Sequence, residues 1–452
     1  MVWKPREADV QALLDQEIQT FETDHPRSRA LFEAAGAHLL NGVPLNWMRR
    51  WAGPFPLYAD RASGAHVTDV DGLDYVDFCM GDTASLFGHG RRDVAQALNA
   101  RLATGASMML PTADAAEVGA TLAGRFGLPS WQFAVSATDA NRFILRLARA
   151  VTGKRKVLLF NGCYHGNLVE ALITSKNGVA AASPEMVGHE VDPRETTEVV
   201  EFNDIEAVER VLAAGDIACV MTEPALTNCR VVLPEPGFLE AVKAAAHRHE
   251  AIFALDETHT ICCGPGGYTA LHDVKPDTVT LGKPIAGGVP AATYGLSADL
   301  AERVGLVMAE TGPGIFAIGG TLTGHALAMA GMRVMLDHVM TDKTFDQMID
   351  AAEAIETGVA DVLAKHGCDG HVVRLGARVA YDPFGKAMTN GRDALAAIDD
   401  RFDHLLHLYM LNRGVLLTPF QNMCLVAPQT ARSDVDRHSG LLDDLLTALR
   451  PS

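Results

Sequence analysis

The chain has 452 residues and is 48% hydrophobic, enough apolar material for a large buried core divided among two or three domains. With 38 basic against 56 acidic side chains its formal charge is −18, which repels phosphate backbones and anionic lipid heads and so argues against nucleic-acid and membrane partners. The eight cysteines form no CxxC pair, the N-terminal MVWKPREADV has no signal-like apolar core, and no run approaches the roughly 18 apolar residues of a membrane span; a soluble cytoplasmic protein with reduced thiols is expected.

In chain order, residues 6 to about 40 read as helix, with Val10, Leu13, Leu14, Ile18 and Phe21 at helical spacing and a second set at Leu31, Phe32 and Leu39. HVTDVDGLDYVDF alternates about Asp71-Gly72, a hairpin signal. From about 85 to 325 the apolar runs WQFAVS, KVLLF, IACVMTEP, AIFALDE, TVTLG and AATYGLS alternate with helical stretches, the rhythm of a largely parallel sheet covered on both faces. Beyond GTLTGHALAMAGMRVML a long helix leads to strand-like pieces (VVRLGARVAYD, VLLTPF, CLVAP) mixed with acidic helices, an α+β pattern. The expected partition is an arm and hairpin over 1–84 packing with the small domain, a large α/β domain over 85–329 and a small α+β domain over 330–452.

The residue that organises the chemistry is Lys283, placed in TVTLGKPIAGG between an apolar run and a glycine cluster, where an amine's charge is disfavoured and backbone can approach a ligand. Asp256 closes the strand-like AIFALDE 27 positions upstream. A carboxylate to keep a pyridine nitrogen protonated and a lysine to form a Schiff base are the pair that pyridoxal phosphate (PLP) chemistry uses. Ser136, Ala137 and Thr138 open a helix with Phe143, Ile144, Leu147, Ala148 and Val151 on its apolar face, so they stand where free N–H groups favour a phosphate; Ser136 with Asp139 also reads as an ordinary cap, and both readings stay open. His165, His259 and His325 match no zinc spacing, and no metal is expected. GPGGY lacks the ending of a Walker loop and no GxGxxG follows the first strand, which disfavours a nucleotide-binding protein. Around Trp47, Arg49 and Arg50 a dimer contact and a substrate-carboxylate site are equally compatible, and Gly162 is either a tight turn or an opening for a bulky substrate group.

Six segments stand in a telling order: SATDAN, CYHG, TEPALTN, LDETHT, TLGKPIAGG and GGTLTGHALAMA. Together they resemble the motifs of the PLP-dependent class III aminotransferases of fold type I, including the glutamate-1-semialdehyde aminomutase branch, from about residue 40 to the C-terminus. The resemblance implies a mostly parallel seven-stranded sheet flanked by helices, with a smaller α+β domain, and pyridoxal 5′-phosphate as cofactor. It implies that Lys283 forms the Schiff base, that Asp256 pairs with the pyridine nitrogen, and that Tyr164 and Thr258 cover the two ring faces. It places His165 at the cofactor's edge and His259 toward the phenolic oxygen, where relatives often have glutamine. It assigns Ala137 and Thr138 to the phosphate, Thr321 to the phosphate of a partner subunit in a homodimer, and Glu223, with Lys283 and Asp256 a catalytic residue, to a place near the cofactor and substrate entrance. Ala137 and Asp139 depart from the usual glycine and glutamate, and Thr258 puts a hydroxyl where valine is usual, a group that needs a partner.

The activity expected first is ping-pong transamination between an amine or amino acid and a keto acid, ketone or aldehyde. An aminomutase of the glutamate-1-semialdehyde type ranks second, because VLLTPFQNMCLV lacks an acid and the N-terminal segment reads GVPLNWMRRW.

Overall fold

The computed structural model describes residues 3–176, 178–183, 186–188, 191–311, 318–418 and 421–450. They form two compact units: Arg92–Phe345 with Met388–Ala396, and Met1–Arg91 with Asp346–Ala387 and Ala397–Ser452.

The larger unit is built on seven strands, numbered in chain order: β1 Ser130–Ala134, β2 Lys156–Phe160, β3 Thr197–Val200, β4 Ile217–Thr222, β5 Ile252–Asp256, β6 Thr278–Leu281 and β7 Ala292–Leu296. They lie in the order β1-β7-β6-β5-β4-β2-β3. Only β7 runs against its neighbours; the remaining pairs are parallel. Strands β4 to β7 are buried at every position, which is why IACVMT, IFALD and ATYGL carry no exposed polar alternation. Helix α1, Ala137–Thr152, starts where the Ser136 side chain accepts the Asp139 N–H and stops at Gly153, whose φ of 70° only glycine adopts freely. Its face of Ala140, Phe143, Ile144, Leu147 and Ala148 joins Val157, Leu159, Ala218, Met221, Ile252, Ala254 and Tyr294 in one core. Each of the large side chains there contributes about 1.5–3 kcal/mol by burial, so the helix N-terminus is held firmly over the sheet.

The smaller unit contains a four-stranded sheet (Ala59–Ser63, His66–Asp69, Asp74–Asp77, Val415–Leu416) and a three-stranded one (His371–Leu375, Arg378–Asp382, Met423–Leu425). The single N-terminal helix expected from periodicity is two, Glu7–Asp24 and Pro26–Ala35. Proline disfavours helical geometry in the residue before it, and His25 accordingly sits at φ −122°, ψ 51°. The hairpin turns at Asp71-Gly72 as expected, with Gly72 at φ 92° and the Asp71 carboxylate accepting the Arg27 and Ser28 N–H groups. Of the strand-like VLLTPF, Val415–Leu416 is strand, and residues 419–420 lie outside the described residues. No described helix is long and apolar enough to cross a membrane. One return of the chain escapes a linear reading: Met388–Ala396 belongs to the larger unit, where Arg392 and Thr389 bond Glu201 and Asn203.

Candidate active site

In the larger unit β1, β2, β4, β5 and β6 each lead directly into a segment carrying a candidate residue: Ser136–Thr138, Tyr164–His165, Glu223, Asp256–His259 and Lys283 respectively. Carboxyl ends of parallel strands are where open α/β sheets place their ligands, because loops of both helical layers meet there. Strands β5 and β6 are neighbours, with Asp256 opposite Thr280, so Asp256 and Lys283 leave adjacent strand ends.

Asp256 is the best-defined group of the site. One oxygen, Oδ2, accepts Asn141 Nδ2 at 2.7 Å and the His165 ring at 3.0 Å, while Oδ1 accepts the Thr258 N–H at 3.0 Å. Burial by itself would raise this carboxyl's pKa; the His165 contact and the Thr258 and Asn141 bonds outweigh it and bring it down to about 2. Burial opposes charge on His165 as well, but Cys163 and Asp256 raise the imidazole well above its ordinary range. The result is an ionised carboxylate under the sheet end, with three of its roughly four acceptor positions filled and one remaining.

Asn141 was not foreseen among the functional residues. It is fully buried on the apolar face of α1, donates to Asp256 and to the His165 carbonyl, and accepts the Thr280 hydroxyl at 2.7 Å. The signal was present: Asn141 lies three residues before Ile144 on a stripe otherwise apolar, and a lone amide there demands polar partners.

Lys283 sits at φ 47°, a left-handed conformation uncommon for a residue with a side chain. Its neighbour Gly282 is there for closeness, since a Cβ at 282 would come 3.0 Å from the Ala137 Cβ and 3.5 Å from Thr258. The Lys283 amine meets His259 Nε2, and His259 Nδ1 meets the Thr227 hydroxyl at 2.9 Å. Thr227 in turn bonds Glu223 through both its hydroxyl and its N–H. Glu223 also accepts the Tyr164 N–H at 3.0 Å and Asn228 Nδ2 at 3.1 Å. Glu223, expected near the cofactor and substrate entrance, is buried, and burial raises its pKa against the pull of His165 and its hydrogen bonds. It braces the loops after β2 and β4 rather than facing outward.

The segment after β2 lies over the start of α1. Thr138 Oγ1 accepts the Asn167 N–H at 3.3 Å, and Gly166, at φ 91°, has no room for a Cβ because Thr138 occupies that space. Ser136, Ala137 and Thr138 are half-buried, and Tyr164 is half-buried beside them. Ser136 does cap α1, so the capping role is real and coexists with an accessible helix N-terminus. Thr258 is buried, and its hydroxyl has no hydrogen-bond partner among the described residues.

Gly162 offers no opening: at φ 85°, a Cβ there would meet Cys229 Sγ at 2.7 Å and the Gly391 backbone at 3.1 Å, so the glycine serves close packing and a turn. Thr321 is exposed in a turn. Trp47, Arg49 and Arg50 belong to the smaller unit on the short helix Asn46–Arg50, where the Arg49 guanidinium lies 4.6 Å from the Phe32 ring centre.

Residues 47–444 match the family model of the class-III aminotransferases. The chain belongs to that family. It is therefore an enzyme chain of the PLP-dependent fold type I class. It is 33% identical over 424 residues to glutamate-1-semialdehyde 2,1-aminomutase 2 of Bacillus cereus, covering 91% of this chain and 95% of that protein. A crystal structure of a glutamate-1-semialdehyde-aminomutase from Pseudomonas aeruginosa PAO1 superposes with a TM-score of 0.97 at 44% identity, over 99% of this chain and 100% of that one; a lysine-to-alanine variant of it is described in complex with PMP. A β-phenylalanine aminotransferase from Variovorax paradoxus superposes with a TM-score of 0.86 at 25% identity, over 97% of each chain. These likenesses favour the aminomutase over the transamination that the sequence motifs ranked first. The missing acid in VLLTPFQNMCLV weighed on a few positions; the likeness extends along nearly the whole chain.

Proposed function

We propose that this protein is a PLP-dependent aminomutase of the glutamate-1-semialdehyde type, moving an amino group between adjacent carbons of a small amino aldehyde that bears a carboxylate. The observation that carries the reading is the departure of Asp256 and Lys283 from neighbouring strand ends, one held ionised and the other presented by a strained turn.

The residues present fit the cofactor. Asp256 keeps an acceptor position for a protonated ring nitrogen, the Thr258 hydroxyl is a buried donor in want of an acceptor, and the N-terminus of α1 at Ala137 and Thr138 offers N–H groups to a phosphate. Tyr164 supplies an aromatic face. The bound cofactor supplies an aldehyde that joins amines covalently and a ring that accepts electrons. Lys283 then does the protein's own work: its amine, once displaced, takes a proton from the carbon bearing nitrogen and returns it to the neighbouring carbon. A homodimer in the cytoplasm, with Thr321 reaching the partner's phosphate, accompanies this reading.

The test is turnover of glutamate-1-semialdehyde with no added acceptor, alongside borohydride reduction and mass mapping. Conversion to the isomeric amino acid and a reduced adduct on Lys283 are expected. Transamination is the second reading, supported by the likeness to the β-phenylalanine aminotransferase; a strict need for an added carbonyl acceptor would place it first.

A further inference from the structure

Lys283 and three side chains beside it form a continuous hydrogen-bonded series, of which the chemistry above uses only the lysine. The Lys283 amine meets His259 Nε2, His259 Nδ1 meets the Thr227 hydroxyl, and that hydroxyl meets Glu223 Oε2. Counting donors fixes the direction. Glu223 Oε2 also receives the Thr227 N–H and Oε1 receives two N–H donors, so the carboxylate accepts and the Thr227 hydroxyl donates to it. The Thr227 oxygen then accepts from Asn228 Nδ2 at 3.3 Å and from His259 Nδ1. His259 therefore carries its proton on Nδ1 and turns a lone pair on Nε2 toward the lysine.

We propose that His259, Thr227 and Glu223 form a proton relay that empties and refills the Lys283 amine. This rests on the reading of Lys283 as the proton carrier. In one passage a Lys283 N–H bond breaks as His259 Nε2–H forms, the Nδ1 proton moves to the Thr227 oxygen, and the Thr227 hydroxyl proton moves to Glu223 Oε2. No electrons are gained or lost. An ammonium and a carboxylate become an amine and a carboxylic acid, which removes two charges from a buried setting. Burial, the largest influence on Glu223, already favours its protonated form, so the terminal group is suited to store the proton. The charged groups facing this corner are Asp256 and His165, which act on Glu223 with opposite sign. Thr227 and Glu223 are positioning residues here, since both act through His259.

The relay predicts that hydrogen taken from a substrate carbon is diluted among the exchangeable hydrogens of His259, Thr227 and Glu223, so that more protium returns to the carbon than the Lys283 amine alone could supply. Holoenzyme given an α-deuterated amine that bleaches the Schiff-base absorbance is quenched early, and the recovered amine is analysed for protium by mass spectrometry. For wild type, extensive exchange per turnover is expected. In Thr227→Val and His259→Gln the exchange-to-turnover ratio falls about tenfold, because each keeps the packing or the hydrogen bond to lysine but cannot pass a proton. Thr227→Ser, which restores only the hydroxyl, returns the ratio to within about twofold of wild type. A ratio in Thr227→Val equal to wild type overturns the relay, as does a Thr227→Ser that fails to rescue a folded enzyme. A second measurement needs no substrate: ¹⁵N NMR of the full chain labelled at histidine, with His259 assigned from His259→Gln. The Nδ1–H tautomer, lost in Thr227→Val, is expected; an Nε2–H tautomer in wild type sinks the relay whatever the enzyme's substrate proves to be.

Discussion

Two buried carboxyls a short way apart in the same unit, Asp256 and Glu223, meet opposite fates. Both are almost wholly removed from water and both accept several hydrogen bonds. Asp256 has a histidine directly on one oxygen and its pKa drops to about 2; Glu223 is held by a threonine, an asparagine and backbone amides, and burial wins. Neutral donors soften desolvation, whereas a directly bonded cationic partner reverses it. The chain thus has one carboxyl that stays charged and another able to take a proton, and position in the sequence alone does not separate the two.

The comparison can be broken most severely at its shared neighbour. Lys283→Ala is expected to lower turnover by about 10³-fold or more and to abolish the borohydride adduct, measured by steady-state assay and mass mapping. Asp256→Asn follows at about 10²-fold or more, because an amide cannot stabilise a protonated ring nitrogen. Glu223→Gln costs nearer tenfold, and an equal loss in the two variants would erase the distinction between the carboxyls. Asn141→Ala removes one of the donors holding Asp256 down and strands the Thr280 hydroxyl, so a loss of about 1–3 kcal/mol in denaturant unfolding is expected, with a smaller drop in activity than for Asp256→Asn. The mildest change is Thr258→Val, which deletes a buried hydroxyl that has no partner among the described residues. Its apo stability should hold or rise by up to about 1 kcal/mol, while PLP retention on dialysis weakens a few-fold.

Acid titration sharpens the same contrast. The folded pKa of Asp256 lies below its unfolded value, so the folded state binds fewer protons and the stabilisation is complete above about pH 4. It is lost as the pH falls toward 2. Glu223 has the reverse sign: its raised pKa favours the folded state at low pH and withdraws that contribution as the pH rises through the folded value. The stability advantage of wild type over Asp256→Asn should therefore shrink between pH 4 and 2 in thermal melts, and an advantage constant across that window would contradict an ionised Asp256.

Much of the fold was legible because its determinants are local. The largely apolar runs IACVMT and IFALD read as central strands, Asp71-Gly72 as a tight turn, and the stretches around Asp256 and Lys283 as strand ends. Six motifs in order also carried the resemblance to the class III aminotransferases, and the match of the family model over residues 47–444 agrees with it. What the one-dimensional pattern could not give were meetings between distant segments. Asn141 reaches across 115 positions to Asp256, Gly162 packs against Cys229 and Gly391, Pro26 breaks the first helix through a constraint on its predecessor, and Glu223 is buried by loops contributed from elsewhere. Residue types determine which groups can carry charge, but the number of donors around each and the water excluded from it are properties of packing. For that reason the sequence by itself named Asp256, Glu223 and Lys283, and the tertiary structure decided which of the two carboxyls keeps its charge.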